Sequence, residues 1–348
     1  MRIAQIAPPW ISVPPRGYGG TEWVVQQLCD GLTVRGHQVT LYASGDSRTA
    51  AELCSVFPEQ IPQFMGLPSF EARHSGYALA DILSRTGERA FDLVHDHSGY
   101  FVVATSGLLP LPPILHTIHS AFDEVTSGFY EQYGQAVAYN AISEYQRSMG
   151  PVGMNWAGVV HNAIDLSAWP FQAEKDDYLL AFGRVCEAKG FHLSIEVARR
   201  AGRRLVMAGA LQPQYADYFH EVIEPELNDH IVFVGEVADS RRRDLFANAA
   251  AFLFPILWPE PFGLVMIEAM ASGTPVIALR NGSVPEVIDD GATGFIVKDV
   301  DQMVDAVGRL HEIDGAACRR AVEERFTVDR LVTDYESLYR RLAPGRSA

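Results

Sequence analysis

Short apolar runs alternate with amphipathic segments along the whole chain, and that alternation commits it to β-α units and a parallel sheet. The apolar runs fall into two sets of six: residues 3–7, 39–43, 91–95, 113–118, 137–142 and 158–161, then 178–182, 205–208, 231–234, 251–254, 275–279 and 294–297. Between the sets lies Asn162 to Asp177, a polar, proline-containing stretch ending in Glu174-Lys175-Asp176-Asp177, which reads as a linker. A chain of 348 residues exceeds the roughly 100–200 residues of one ordinary domain. The fold class expected is therefore α/β, with two Rossmann-like, doubly wound parallel-sheet domains. Such sheets bind ligands at the carboxyl ends of their strands, so a shared central cleft is expected between them.

Composition narrows the partners. Hydrophobic residues make up 48% of the chain and are dispersed, with no apolar run of the ~20 residues a bilayer span needs. The opening Met1 to Ala7, broken at once by Pro8-Pro9, reads as a first strand and not a signal sequence, so a cytoplasmic location is expected. The first half lacks a basic amphipathic helix that would dock on an anionic membrane, so no strong membrane binding is expected. With 28 basic and 43 acidic side chains the formal charge is −15, which repels nucleic acid. Two basic runs, Arg199-Arg200 with Arg203-Arg204 and Arg241-Arg242-Arg243, read as solvated helix surface. Cys29, Cys54, Cys186 and Cys318 form no Cys-x-x-Cys and read as buried free thiols. His95 and His97 show no third metal ligand and read as strand-end packing. Asp299-Val300-Asp301 opens a helix, where capping is its expected job.

The chemistry concentrates in the second half. After the strand 178–182 come Gly183-Arg184, then Glu187-Ala188-Lys189-Gly190 and an amphipathic helix from His192 to Ala201. A strand, a glycine turn and a helix start present backbone N–H groups to an anion, and Arg184 and Lys189 add a planar fork and a point charge suited to a diphosphate. Further on, Gly263 to Ala271 reads as a helix stopped by Gly273 with Pro275 beyond. Glu260 precedes it, and Glu268 sits inside it among apolar neighbours, where a carboxylate needs hydrogen-bond donors such as sugar or ribose hydroxyls.

The run from Glu260 through Pro261-Phe262-Gly263-Leu264 to Glu268-Ala269 resembles the Glu-x7-Glu motif of the retaining family 4 glycosyltransferases, which have the GT-B fold. Phe182-Gly183-Arg184 with Lys189-Gly190 resembles that family's diphosphate motif, and Val232-Phe233-Val234-Gly235 its base-binding strand end. Asn281-Gly282-Ser283-Val284-Pro285-Glu286 with Asp290-Gly291-Ala292-Thr293-Gly294 resembles its donor loop. In the first half, Gly19-Gly20-Thr21-Glu22 and Thr117-Ile118-His119 resemble its glycine turn and active-site histidine.

The resemblance implies a retaining transferase that moves a sugar from a nucleoside-diphosphate sugar, UDP- or GDP-linked, to a hydroxyl of a small-molecule or glycan acceptor. No metal or cofactor is implied, since the nucleotide sugar is a co-substrate. Arg184 and Lys189 would neutralise the leaving diphosphate, Glu260 would accept from donor-sugar hydroxyls, Glu268 would hold the ribose, and His119 would sit beside the donor sugar. Gly19, Gly20, Gly183, Val234, Gly235, Phe262, Gly263 and Leu264 complete the implied donor-binding set. The implied domains are residues 1–166 for the acceptor, 167–325 for the donor and 326–348 as a C-terminal helix crossing back onto the first domain. Leu331, Tyr335, Leu338, Tyr339 and Leu342 stand at helical spacing in it.

The chain departs from the family pattern in the linker, which reads His161-Asn162-Ala163-Ile164-Asp165 where a proline and a glycine are common, and at Ser283, where a second glycine is usual. The long loop from Pro8 to Gly20 carries Trp10 and Tyr18, whose rings could stack on a sugar or polyketide acceptor or form a packed cover. The rival readings are an NAD-dependent dehydrogenase, a GT-B-like nucleotide-sugar epimerase and a non-catalytic sugar-nucleotide binder. Against the dehydrogenase, Gly17 to Glu22 gives only part of Gly-x-Gly-x-x-Gly.

Overall fold

The computed structural model describes residues 1–17 and 19–343. The chain divides into two compact units, Met1–Asn162 with the segment from Val328 onward, and Ala163–Thr327.

Among the described residues the first unit carries seven parallel strands: β1 (Arg2–Ile6), β2 (Gln38–Tyr42), β3 (Glu52–Cys54), β4 (Leu93–Asp96), β5 (Ile114–Thr117), β6 (Ala138–Ala141) and β7 (Trp156–Val159). Their order is β3-β2-β1-β4-β5-β6-β7, so the sheet reverses direction of growth between β1 and β4. Both β1 and β4 are buried almost throughout, as expected of central parallel strands, although they carry the polar side chains Gln5, His95 and Asp96. The edge strand β3 left no sequence signal, because it is three residues long and half-exposed. The helix Val328–Leu342 belongs to this unit and buries Leu331, Val332, Tyr335, Leu338 and Tyr339. Its Glu336 pairs with Arg35 at 3.1 Å and His37 at 2.9 Å.

The second unit carries β8 (Tyr178–Phe182), β9 (Arg204–Ala208), β10 (Ile231–Phe233), β11 (Ala251–Phe254), β12 (Val276–Leu279) and β13 (Gly294–Val297), again all parallel. The order is β10-β9-β8-β11-β12-β13, with the reversal between β8 and β11. In sheets of this kind the loops leaving the two strands at the reversal diverge to opposite faces and open a crevice. Asp299 caps the helix Val300–Gly308 by accepting from the Gln302 N–H at 2.9 Å.

The stretch read as a linker is fastened along its length. Trp169 is buried against Phe246, and Lys175 Nζ donates to the carbonyls of Ala247 and Ser272 and to the Thr274 hydroxyl at 2.7–2.9 Å. Burial pushes the Lys175 ammonium down to about 8. The charge cluster that closes the stretch is thus part of the second unit through Lys175, which caps carbonyl groups inside it. Cys54 is likewise only half-buried, beside Glu52 and Arg85, while Cys29, Cys186 and Cys318 are buried thiols. Among the described residues no helix is long and apolar enough to cross a membrane.

Candidate active site

The crevice-forming loops of the second unit carry Arg184, Lys189 and Glu260. From β8 the chain passes Gly183 and Arg184 into a single 3-10 turn, Glu187–Lys189, and then the helix Phe191–Ala201. From β11 it passes Pro255 to Gly263 into the helix Leu264–Ala271. The two loops are stitched together by the Leu257 N–H donating to the Ala188 carbonyl at 2.9 Å. Gly190 makes the approach sterically possible: a Cβ there would stand 2.1 Å from the Pro255 carbonyl oxygen, at a φ of 68° that favours glycine.

This stitching brings Lys189 Nζ within 2.5 Å of Glu260 Oε2, which also accepts from Trp258 Nε1 at 2.9 Å. The Lys189 ammonium stands 5.1 Å from the Trp258 ring centre. Glu260 is only 8% exposed, and its backbone is held from below: the Ser283 N–H donates to its carbonyl at 3.0 Å, and a Cβ on Gly282 would lie 2.3 Å from that oxygen. Ser283 also donates through its hydroxyl to the Phe262 carbonyl at 2.8 Å, so the residue that departs from the family pattern anchors the loop.

Arg184 is held differently. Its guanidinium lies 5.6 Å from the Tyr215 ring centre, and its Nε is buried without a hydrogen-bond partner. A cation with a buried, unanswered donor is what an anionic ligand would satisfy. Gly183, Gly209 and Gly235 follow β8, β9 and β10 and touch through their backbones, the Gly209 N–H donating to the Gly235 carbonyl at 2.9 Å. Val234 beside them is 39% exposed. Gly263 takes a left-handed conformation and starts the helix Leu264–Ala271. The open N–H groups of a first helical turn are anion-binding donors.

Two expectations need correction. Phe262 is 1% exposed and packs on Phe326, so its ring is closed to a ligand and only its backbone remains. Arg242 is not solvated helix surface. It projects from the helix Asp239–Asn248 between the rings of Trp169 and Phe182, 5.6 and 5.1 Å from their centres, and its Nη2 contacts both carboxylate oxygens of Glu268. Glu268 is 4% exposed; burial pushes its carboxyl up and the Arg242 charge pulls it back. The donor that Glu268 requires is thus supplied within the fold, and hydroxyl groups would have to share the carboxylate with Arg242.

In the first unit, Gly19 starts the helix Gly20–Val34 with an extended, positive φ, and its carbonyl accepts from the Trp23 N–H at 3.3 Å. Glu22 is 5% exposed, and burial pushes its carboxyl up to about 7. The preceding loop is pinned as a packed cover: the Val13 N–H donates to Ser47 Oγ at 2.9 Å, the Ile61 N–H to the Trp10 carbonyl at 3.0 Å, and Arg16 pairs with Asp46. Trp10 is half-buried, and Tyr18 lies outside the described residues.

His119 follows β5 and is half-buried; burial pushes its imidazole down to about 3. Its Nε2 lies 2.9 Å from His97 Nδ1. His95 and His97 are more than packing. All four of their ring nitrogens have polar partners: Tyr339 and Thr117 for His95, His119 and Gln5 for His97. Sequence reasoning missed Gln5, Tyr339, Trp258 and Arg242. Only Trp258, two residues before Glu260, carried a local signal.

Comparison with known proteins agrees with both units. The family model described as glycosyl transferases group 1 matches residues 167–324, and that described as glycosyltransferase family 4 matches residues 18–168. The chain is 24% identical to an uncharacterized glycosyltransferase of Methanocaldococcus jannaschii over 98% of both proteins. It is 27% identical to O-antigen chain mannosyltransferase C of Escherichia coli over 96% of this chain and 97% of that one. Among solved structures, AviGT4, a glycosyltransferase involved in avilamycin A biosynthesis, superposes with a TM-score of 0.74 at 29% identity over 99% of each chain.

Proposed function

Because the chain belongs to the glycosyltransferases of group 1 and family 4, an enzyme family whose GT-B fold its two parallel-sheet units match, we propose that it transfers a sugar from a nucleoside-diphosphate donor to an acceptor hydroxyl with retention at the anomeric carbon. The observation that carries the donor class is the charge arrangement after β8 and β11. Arg184 has a buried donor without a partner and, among the described residues, no ion pair, and Lys189 stands against Glu260 at 2.5 Å. Two cations at one glycine turn suit a departing diphosphate.

In the proposed reaction the bond from anomeric carbon to diphosphate oxygen breaks and the bond to the acceptor oxygen forms on the same face. The acceptor proton passes to an oxygen of the departing diphosphate. Arg184 and Lys189 stabilise the charge that accumulates on the diphosphate, a task that is worth most where water is excluded. Glu260 accepts from donor-sugar hydroxyls, Glu268 shares its carboxylate between Arg242 and the ribose, and His119 meets the donor sugar. Gly19 and Gly20 present backbone N–H groups on the phosphate side, and Gly235 closes on the base. Trp10 and Tyr18 border the acceptor, a small-molecule or glycan hydroxyl. A metal is not required, because the two cations take its place.

The test is a panel of UDP-, GDP- and TDP-sugars scored by nucleotide release, with Glu260→Ala and Lys189→Ala as controls. Turnover of one donor that both substitutions abolish, and that survives EDTA, is the expected result. Stabilisation by NAD(H) with no donor turned over would favour a dehydrogenase. Activity lost on chelation and restored by manganese would overturn the role given to Arg184 and Lys189.

A further inference from the structure

Behind His119 runs a chain of buried polar side chains that the proposed reaction does not itself call for. Gln5 on β1 is in register with His95 on β4, and His97 lies two residues further along the same face. Thr117 closes β5 and His119 lies two residues beyond it, and residues two apart share a face. An apolar set would pack this face under the helix Val328–Leu342 at no polar cost. Instead the helix delivers two hydroxyl groups to it: Tyr339 to Gln5 and His95, Tyr335 to Thr117 and Asn140.

The hydrogen bonds in this chain have a direction. Gln5 Nε2 donates to the Tyr339 hydroxyl at 3.1 Å, which turns Gln5 Oε1 toward His97 Nε2 at 2.9 Å. An amide oxygen only accepts, so His97 carries its proton on Nε2. Burial and the neighbouring imidazoles hold His97 well below its ordinary pKa, so it has one proton and its Nδ1 must accept. The partner of that Nδ1, at 2.9 Å, is His119 Nε2, which must therefore donate. His119 is itself neutral, so its remaining Nδ1 has a free lone pair, with no protein hydrogen-bond partner among the described residues. The Tyr339 hydroxyl, having accepted from Gln5, has its own proton for His95 Nδ1 at 2.7 Å, and His95 Nε2 then donates to Thr117.

We infer that Tyr339, Gln5 and His97 are positioning residues that fix His119 in its Nε2–H tautomer, so that it offers the donor sugar an acceptor nitrogen. The inference rests on the proposed role of His119. It adds that the C-terminal helix, through one hydroxyl group, sets the hydrogen-bonding sense of that residue. With the Gln5 amide turned the other way, each bond would reverse and His119 would present an N–H. A sugar hydroxyl bound by Nδ1 must then act as the donor in that bond, which leaves its oxygen lone pairs for other groups.

The experiment begins without substrate. Two-bond 15N–1H spectra of histidine-labelled, ligand-free protein report which ring nitrogen of His119 carries the proton, with His119→Gln supplying the assignment. The expected wild-type state is Nε2–H with Nδ1 unprotonated. Tyr339→Phe, with Gln5→Met as the second variant should the first not fold, is expected to give a mixed or inverted His119 tautomer. His97→Asn, which sets an amide oxygen where Nδ1 stood, is expected to keep the wild-type His119 pattern, and His97→Leu to lose it. With the donor found by the panel, kcat/KM should fall about tenfold in Tyr339→Phe, the worth of one misdirected hydrogen bond, while His97→Asn exceeds His97→Leu. A wild-type His119 protonated on Nδ1, or a tautomer unchanged in folded Tyr339→Phe and Gln5→Met, overturns the inference. If no nucleotide sugar turns over, the proposed function fails, and the spectra still decide the relay.

Discussion

Replacing Arg242 by methionine separates a structural cation from a solvated one. The Arg242 side chain is 16% exposed and that of Glu268 5%, with both carboxylate oxygens on one guanidinium nitrogen. Removing one partner of a buried pair costs roughly 3–5 kcal/mol, because the other charge stays behind without compensation. For a unit of this size about 2–4 °C follow from each kcal/mol, so the second unit should melt roughly 6–20 °C lower. The loss should depend on pH. Burial already raises Glu268, and removing Arg242 deletes the main influence that lowers it. An acid whose folded pKa is raised contributes stability at low pH that is lost as pH rises through the folded value, so the deficit of Arg242→Met should widen from pH 5 to pH 8. The double variant Arg242→Met with Glu268→Leu, which replaces the pair by apolar groups, should recover most of the loss, a coupling of about 2 kcal/mol or more. Urea unfolding of the four proteins of this cycle at both pH values measures all three quantities. A single-variant effect within about 0.5 kcal/mol, as for an ordinary surface arginine, would refute the argument.

Three further outcomes are expected. Gly190→Ala should destabilise by more than about 2 kcal/mol and weaken donor binding, since a left-handed φ of 68° adds to a Cβ overlap at 2.1 Å from the Pro255 carbonyl; equal melting and equal affinity would disprove it. Glu22→Gln should flatten the pH dependence of stability. The Glu22 carboxyl is raised from 4.5 to about 7, so its contribution is fully present below 4.5 and is lost through 7, about 3 kcal/mol in all, and parallel unfolding curves from pH 4 to 8 would contradict this. Lys189→Met should lower kcat by a factor of about 10²–10³, with the fold intact by circular dichroism, whereas a change confined to KM would remove Lys189 from the transition state.

What could be read from the sequence was what is local in sequence. Glu260 and Glu268 share one loop and helix, Arg184 and Lys189 one turn, and periodicity exposed every long buried strand. The misses have a common physical form. Arg242 meets Glu268 across 26 residues from a helix whose first six residues, Asp-Ser-Arg-Arg-Arg-Asp, are all polar, and whose buried residues, Leu245 to Ala247, lie beyond it and do not announce its burial. Gln5 meets Tyr339 across 334 residues. Lys175 read as part of a linker because its acceptors are backbone carbonyls and one hydroxyl, which no charge pattern reveals. In each case the polar group is answered by an element distant in sequence, and the partner is fixed only once the unit that holds both has folded.

The two units hold their polar groups in opposite electrical states, and the proposed chemistry gives this a reason. In the second unit the groups after β8 and β11 are ionic side chains, Lys189 paired with Glu260 and Arg184 without an ion pair among the described residues. In the first unit His74, His95, His97 and His119 are all held below their ordinary pKa by burial, His74 to about 4 and His119 to about 3. A departing diphosphate gathers negative charge, and cations lower the energy of that state. The anomeric carbon it leaves gathers positive charge, and an imidazolium beside it would raise the energy of the same state. A group that must grip the sugar without adding charge there has to stay neutral under the field of its surroundings. Burying these imidazoles among neutral partners achieves that: His97 bonds His119 and Gln5, His95 bonds Tyr339 and Thr117, His74 bonds the Ala7 carbonyl, and among the described residues no carboxylate is bonded to any of the four. His116 is the contrast. It sits on the opposite face of the same sheet, with its Nδ1 2.6 Å from an Asp96 carboxylate oxygen.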